Sequence, residues 1–496
     1  MNLSPQLTIT ESELAAGKKK VILDGLATES MNALCTGAFL VALALLMGAN
    51  NFQIGMLASL PTFTNIFQLV SIWLVRRFNN RRAISVYCSI LARVPLIIIG
   101  CIALFNTSSA NINMVIFFLT FFYLFGSIAG PSWNSWMKDL IPENSLGAFF
   151  SMRTRYTQII NAAFSICAAF FVDYIKQQHP EYELRTYSYM FIIAGIFGLI
   201  GVLFLSRTPE PVSQISKDNI FKLLQRPLRD SNFRNLLIFN SAWVFALNIA
   251  IPFFTVYMMT TLGLPVSYVI AFGILSQVCS ISTVSLWGVF SDKYSNKTII
   301  AICGPLYILC IIAWSFVGIY THQYANFILI AFINIFSGIS TAGINLSLTN
   351  IGLKLAPKDS AIVYLSAKNI ITSFFSSLAP LIGGYLADFF AHRHLNINAI
   401  YTGPRITKDF HLLFLHQWNF LFIIGAVLAF IALQLLARVK EKGEVEKDVV
   451  VRILRSSIKN NVKDYFIIGR LLDVHEHIKS RIEEVFRPKN KDHVDE

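Results

Sequence analysis

"GVFSDKYSNK", from Gly288 to Lys297, sets an acid, two lysines and a short polar turn between two apolar runs, "VCSISTVSLW" before it and "TIIAICGPLYILCIIAW" after it. A helix that crosses hydrocarbon needs about 20 mostly apolar residues, so the polar stretch reads as the loop between two spans. The composition extends that reading to the whole chain. Of its 496 residues 55% are hydrophobic and 14% charged, with mean hydropathy +0.57; soluble domains carry about 25% charged residues. The sequence divides into twelve apolar runs, the first over 28–48 and the last over 415–437. Residues 1–20 are polar and the first apolar run is too long for the core of a secretory signal, so the first span is expected to be its own insertion signal.

Lys and Arg prefer short cytoplasmic loops. With both termini placed in the cytoplasm, the inner loops hold twenty-one basic residues, the tail after residue 437 fourteen and the outer loops five. Arg93 is left over, inside a span. The formal charge of +13 is therefore mainly topology, and no basic, solvent-facing domain points to nucleic acid. All seven cysteines fall in apolar runs, which argues against a disulfide framework. The sequence has neither a phosphate-binding glycine loop nor a CxxC pair, and no enzyme activity, cofactor or metal is expected.

The chain repeats itself. "RFNNR" (Arg77 to Arg81) returns as "KYSNK" (Lys293 to Lys297), and "PENSLGAFFSMR" (Pro142 to Arg153) returns as "PKDSAIVYLSAK" (Pro357 to Lys368), the second pair at an offset of 215. Two six-helix halves account for this, 28–206 and 236–437, joined by a cytoplasmic linker over 207–235. A cytoplasmic segment, 1–27, precedes them. The tail, 438–496, has apolar residues at helical spacing, read as amphipathic helices lying on the protein's own loops or on a cytoplasmic partner.

Residues three and four apart share a helical face. Polar stripes at that spacing mark eight of the twelve runs, while the third, sixth, ninth and twelfth are nearly uniformly apolar. The tenth run carries Asn334, Thr341 and Asn345, the fifth Gln158 and Asn161, and the seventh Asn240 and Asn248 with Trp243 between them. These eight residues are the candidates for facing a solute. The pattern is an all-α membrane protein of twelve helices around a polar interior.

The loop of the opening stretch, together with the twelve runs and the repeat, resembles the major facilitator superfamily. Its loop motif reads G-x-L-x-D-[RK]-x-G-[RK]-[RK], and Gly288, Asp292, Lys293 and Lys297 match it, while Phe290, Ser295 and Asn296 depart from it. In the first-half copy Ile72 and Arg76 stand where Gly and Asp are expected. The resemblance implies two bundles that rock about a central site, with Asp292 latching the inner side against Arg153 and Arg155 on the fifth helix. Without its acid, the first half is not expected to close in the same way.

Arg93 needs a partner or a function, because a lone cation at mid-membrane costs at least about 2.5 kcal/mol. Glu29 is the carboxylate of the first stripe, and burial favours the neutral form of such a group, which suits reversible protonation. The expected activity is secondary transport of a small polar organic solute, coupled to H+, in a plasma or inner membrane. The rival reading is a transport-inactive receptor that signals through its tail.

Overall fold

The computed structural model describes residues 3–105, 112–212, 226–318, 323–357, 361–402 and 407–441. Among them, twelve helical stretches are long and apolar enough to cross a bilayer. The first span is α1 (Glu11–Cys35) with α2 (Ala38–Leu46), and the second is α3 (Asn51–Phe63) with α4 (Gln68–Phe78). Spans three to six are α5 (Arg81–Phe105), α6 (Ile112–Leu140), α7 (Glu143–Gln178) and α8 (Glu183–Ser206). Spans seven to twelve are α9 (Ser231–Thr260), α10 (Val266–Lys293), α11 (Asn296–Trp314), α12 (Gln323–Leu355), α13 (Ala361–Phe390) and α14 (Gln417–Leu435). A hairpin, β1 (His394–Thr402) and β2 (Thr407–His416), joins the last two. The amphipathic tail beyond residue 441 and the linker over 213–225 lie outside the described residues.

Local sequence explains where the helices start and bend. Thr10 and Glu13 form a capping box, Thr10 N donating to the Glu13 carboxylate at 2.9 Å and Glu13 N to the Thr10 hydroxyl at 3.3 Å. Such a box satisfies backbone donors that the first turn leaves open. The helix thus begins well before the apolar run and carries Asp24 into the first span. Asn50 and Gln53 form a second box at the start of α3. Pro61 then interrupts the helical ladder, since its nitrogen has no hydrogen to donate, and a 3-10 turn over Thr64–Phe67 bends the second span.

The helices group into two six-helix bundles. In the first, α5 packs on α6 and α8, and α1 on α7 and α8; in the second, α10 packs on α12, α11 on α12 and α14, and α9 on α13 and α14. Each bundle has its own core, built around Leu96, Tyr187 and Phe191 in one and around Trp243, Phe253, Trp314 and Phe422 in the other. The bundles meet where α3 crosses α13 and where α7 crosses α10. The α3–α13 crossing is tight: a Cβ on Gly55 would lie 2.2 Å from the Pro380 carbonyl oxygen, and one on Gly384 2.5 Å from that of Asn51.

At the face that carries the N-terminal segment and residue 441, each bundle is closed by one glutamate. Glu210, just past the sixth span, accepts from Arg81 N at 2.9 Å, Arg82 N at 3.0 Å and Arg81 Nε at 3.0 Å. Arg81 also pairs with Asp139, and Trp136 donates to the Pro209 carbonyl at 2.9 Å. Glu441, just past the twelfth span, holds the stretch read first in the sequence. It accepts from Ser295 Oγ at 2.8 Å, Asn296 Nδ2 at 2.7 Å and Lys297 N at 2.9 Å, with Lys354 Nζ at 3.2 Å. Ser295, at φ 140°, is held there in a backbone region that L residues rarely occupy.

Burial raises the Glu441 carboxyl, but the hydrogen bonds from Lys297, Asn296 and Ser295 outweigh it, and the group lies below the usual 4.5. A carboxylate of depressed pKa stabilises the folded protein above its unfolded pKa, and that contribution is lost as pH falls through the folded value. Glu441→Gln should therefore lower the melting temperature at neutral pH by the equivalent of about 1.5–3 kcal/mol. Melting curves of the two detergent-solubilised proteins, taken as pH falls below 4.5, should converge.

Candidate functional site

Two polar cavities lie side by side, each reaching from mid-membrane toward the face that carries residue 441. The larger, about 840 Å³, is walled by the first bundle and includes Asp24, Arg93, Tyr123, Ser127, Asn134 and Arg153. The smaller, about 440 Å³, is walled by α9, α12 and α13 of the second bundle and includes Asn240, Asn345, Lys368 and Asn369. Asn65 and Gln68, on the bend of the second span, line both. The proline break therefore places two amides on the shared wall between the bundles.

Buried charge is concentrated in the first bundle. Arg93, 7% exposed, lies 3.8 Å from Asp24, 4% exposed, and donates to the Thr28 hydroxyl at 3.0 Å. Arg153 lies over the Trp133 ring at 5.0 Å and donates through Nε to the Val21 carbonyl at 3.3 Å. Its guanidinium occupies the space beside Gly25, where a Cβ would come within 2.8 Å, and Asp24 and Glu29 both attract it. Glu29 is half-buried and accepts from Asn161 Nδ2 at 3.0 Å. Asp24 Oδ1, Arg93 Nη1 and Ser85 Oγ are buried at this cavity without a hydrogen-bond partner among the described residues.

Of the residues proposed from the sequence, Asn240 and Asn345 line the second cavity, and Asn161 and Glu29 form a bonded pair. Gln158 accepts from Gln277 at 2.6 Å, bridging α7 and α10 across the two bundles. Trp243 is 1% exposed in the second core, near Phe239. Asn248, Asn334 and Thr341 donate to backbone carbonyls of their own helices, at 2.7, 2.9 and 2.8 Å. None of these four lines either cavity. A Cβ added to Gly288 would meet Leu346 at 3.9 Å. Asp292 and Arg155 are exposed, Asp292 without a hydrogen bond or ion pair among the described residues; Lys293 lies 5.3 Å from the centroid of the Tyr294 ring, and Lys297 joins the Glu441 cap.

Sequence reading missed Asp24, because the first span was started after it; the Thr10 and Glu13 capping box was the signal that the helix begins earlier. It also missed two aspartates on the face opposite residue 441. Asp388, near the end of α13, accepts from Asn51 N at 3.3 Å, Phe52 N at 3.0 Å and Asn51 Nδ2 at 2.8 Å. Asp173, near the end of α7, accepts from Val266 N and Ser267 N, both at 2.9 Å. Each aspartate caps the first turn of a helix in the other bundle. Donors and acceptors alike are displaced by 215 residues, the offset of the loop repeat, so "VDY" at 172–174 and "ADF" at 387–389 were the readable signal.

The family model of the Major Facilitator Superfamily matches residues 26–370 and 286–472. The chain belongs to that superfamily of membrane transporters. No curated protein matches the sequence. Among solved structures, a mutant of the nucleoside transporter NupG is similar at 14% identity and TM-score 0.64, covering 86% of this chain and 100% of the other. A D-xylose-proton symporter aligns at 15% identity and TM-score 0.58, covering 87% and 98%. A bacterial homologue of the human lysosomal transporter Spinster, inward-facing and unoccupied, aligns at 15% and 0.56, covering 77% and 84%. At these identities the likeness is one of fold.

Removing one member of a buried ion pair strands the other, at about 3–5 kcal/mol, whereas replacing both can be close to neutral. Asp24→Asn should thus destabilise the protein strongly, and Asp24→Asn with Arg93→Met should recover much of the loss. Thermal melting of the two single variants and the double variant closes the cycle.

Proposed function

We propose that this protein is a secondary active transporter that moves a small polar organic solute by alternating access, driven by H+, with both termini in the cytoplasm. The observation that carries the reading is the division of polar contacts between the two faces. Both cavities reach toward the face of Glu210 and Glu441, whereas the Asp173 and Asp388 caps join the bundles at the other face. That is the arrangement of a conformation open to one side. The excess of basic residues on the open side supports a cytoplasmic placement of that side.

The two aspartates would then close the outer gate. A carboxylate on the first turn of a helix gains from its free N–H groups and its dipole, about 0.3–1 kcal/mol or more where partly buried. Two such caps make a contact strong enough to define a state and weak enough to break when solute or proton favours the opposite one. Asp292, exposed here, would find its cationic partners on α7 once the inner side closes. The opening of one gate would thus free the groups that form the other.

Glu29 is the proposed proton carrier. Ionised, it is drawn to Arg153 and accepts from Asn161; protonated, it loses the attraction to Arg153, which changes the charge balance at the larger cavity. The neighbours named for nucleoside and for D-xylose with a proton support a polar organic solute and this driving ion. The amides at Asn65, Gln68, Asn240 and Asn345 can donate to and accept from such a solute.

Asp173→Asn combined with Asp388→Asn should move the population outward. A cysteine placed at Asn65 in a cysteine-free background should then react faster with an impermeant thiol reagent from the outside, and unchanged labelling would refute the outer gate. Glu29→Gln should abolish accumulation driven by a pH gradient in proteoliposomes while sparing solute exchange. Accumulation that persists would assign the proton to another group.

A further inference from the structure

The two halves differ in how they treat the same cation. Arg153 and Lys368 occupy equivalent places in the repeat, 215 residues apart, and each donates to a backbone carbonyl of a neighbouring helix, Val21 for Arg153 and Leu348 for Lys368, the latter at 2.5 Å. Arg153 has Asp24 and Glu29 to balance it. Carried across by the same offset, Asp24 falls on Phe239 and Glu29 on Val244, both apolar. Lys368 is 8% exposed and has no carboxylate within ion-pair distance among the described residues.

A buried cation without a counter-ion is costly and is retained where function requires it. Lys368 is also a wall of the smaller cavity, whose other polar lining residues carry neutral amides or hydroxyls, Asn65, Gln68, Asn240, Asn345, Asn369 and Thr372 among them. At the larger cavity Arg93 pairs with Asp24, and Arg153 is attracted by Asp24 and by Glu29 outside the lining. The uncompensated positive charge of the pathway therefore sits at one point, beside amides that can bind the neutral part of a solute.

We propose that the solute is an organic oxyanion and that Lys368 binds its carboxylate or phosphate group in the cavity lined by Asn240, Asn345 and Asn369. The proposal rests on the transporter reading and deepens it. The ammonium supplies the missing counter-charge and up to three donors, of which Leu348 takes one. The solute would complete an ion pair that the first bundle builds from its own side chains.

Two measurements on the purified full-length protein test this. Ligand-free Lys368→Gln should melt at or above the wild type, because it removes an unmatched charge; a marked fall would mean that Lys368 has a structural partner, and the proposal would fail. Thermal-shift and calorimetric titrations then compare matched probes: succinate with succinamide, benzoate with benzamide, and glycerol 3-phosphate with glycerol. The oxyanion of a recognised pair should stabilise the wild type and its neutral counterpart should not. Lys368→Gln should weaken that binding at least tenfold, and Lys368→Arg should restore much of it. If no oxyanion distinguishes the wild type from Lys368→Gln, the site is refuted. Equal uptake of a neutral solute by both proteins in proteoliposomes would overturn the anion site and leave the transporter intact. A wild type that carries no solute at all would take both readings down.

Discussion

A helix that ends inside or beside a membrane leaves backbone N–H groups that no neighbour on its own chain can satisfy. Among the described residues, this protein meets that constraint four times with a carboxylate brought from a distant part of the chain to a first helical turn. Glu210 caps α5 and Glu441 serves the start of α11, each within its own bundle. Asp388 caps α3 and Asp173 caps α10, each from the other bundle. The first two lie within a bundle, whereas the second two lie between bundles, where the proposed rocking would exchange them. One kind of interaction thus separates the parts that stay together from the parts that come apart.

The two halves share a backbone plan and differ in chemistry. The first bundle places Asp24, Arg93 and Arg153 around its cavity, with Glu29 beyond the lining as a second acid that attracts Arg153. The second lines its cavity with amides and a single ammonium. The equivalent positions explain how this arises, since apolar residues replace both acids while the cation remains. Under the proposed mechanism, a repeat of this kind would let one half tune proton chemistry while the other is shaped to the solute.

The fold was legible because its signals are long. Twelve apolar runs, a basic bias in alternate loops and a repeat of two loops at offsets of 216 and 215 each integrate over many residues. The site was legible only in part, because a polar stripe states that a helix face avoids lipid and not what it faces instead. Asn240 and Asn345 reach a cavity, whereas Asn248 and Asn334 spend their amides on carbonyls of their own helices. Asp24 was hidden by starting a helix at its apolar core when the capping box at Thr10 starts it at Glu11. Asp173 and Asp388 were hidden because they repeat at the ends of apolar runs, away from the loops in which the repeat is easiest to read.

The positions of Glu210 and Glu441 also order the molecule in time. Each follows the last helix of its half, so the third span acquires its cap only when the chain has been made as far as residue 210, and the ninth only at residue 441. Chains emerge from the ribosome N-terminus first, and domains fold as units in that order. The internal cap of the first bundle is therefore complete before the second has begun to leave the tunnel, while α3 still waits for Asp388. The second must wait until its membrane sequence is complete, and a chain that stops in the twelfth span leaves the ninth without its Glu441 cap.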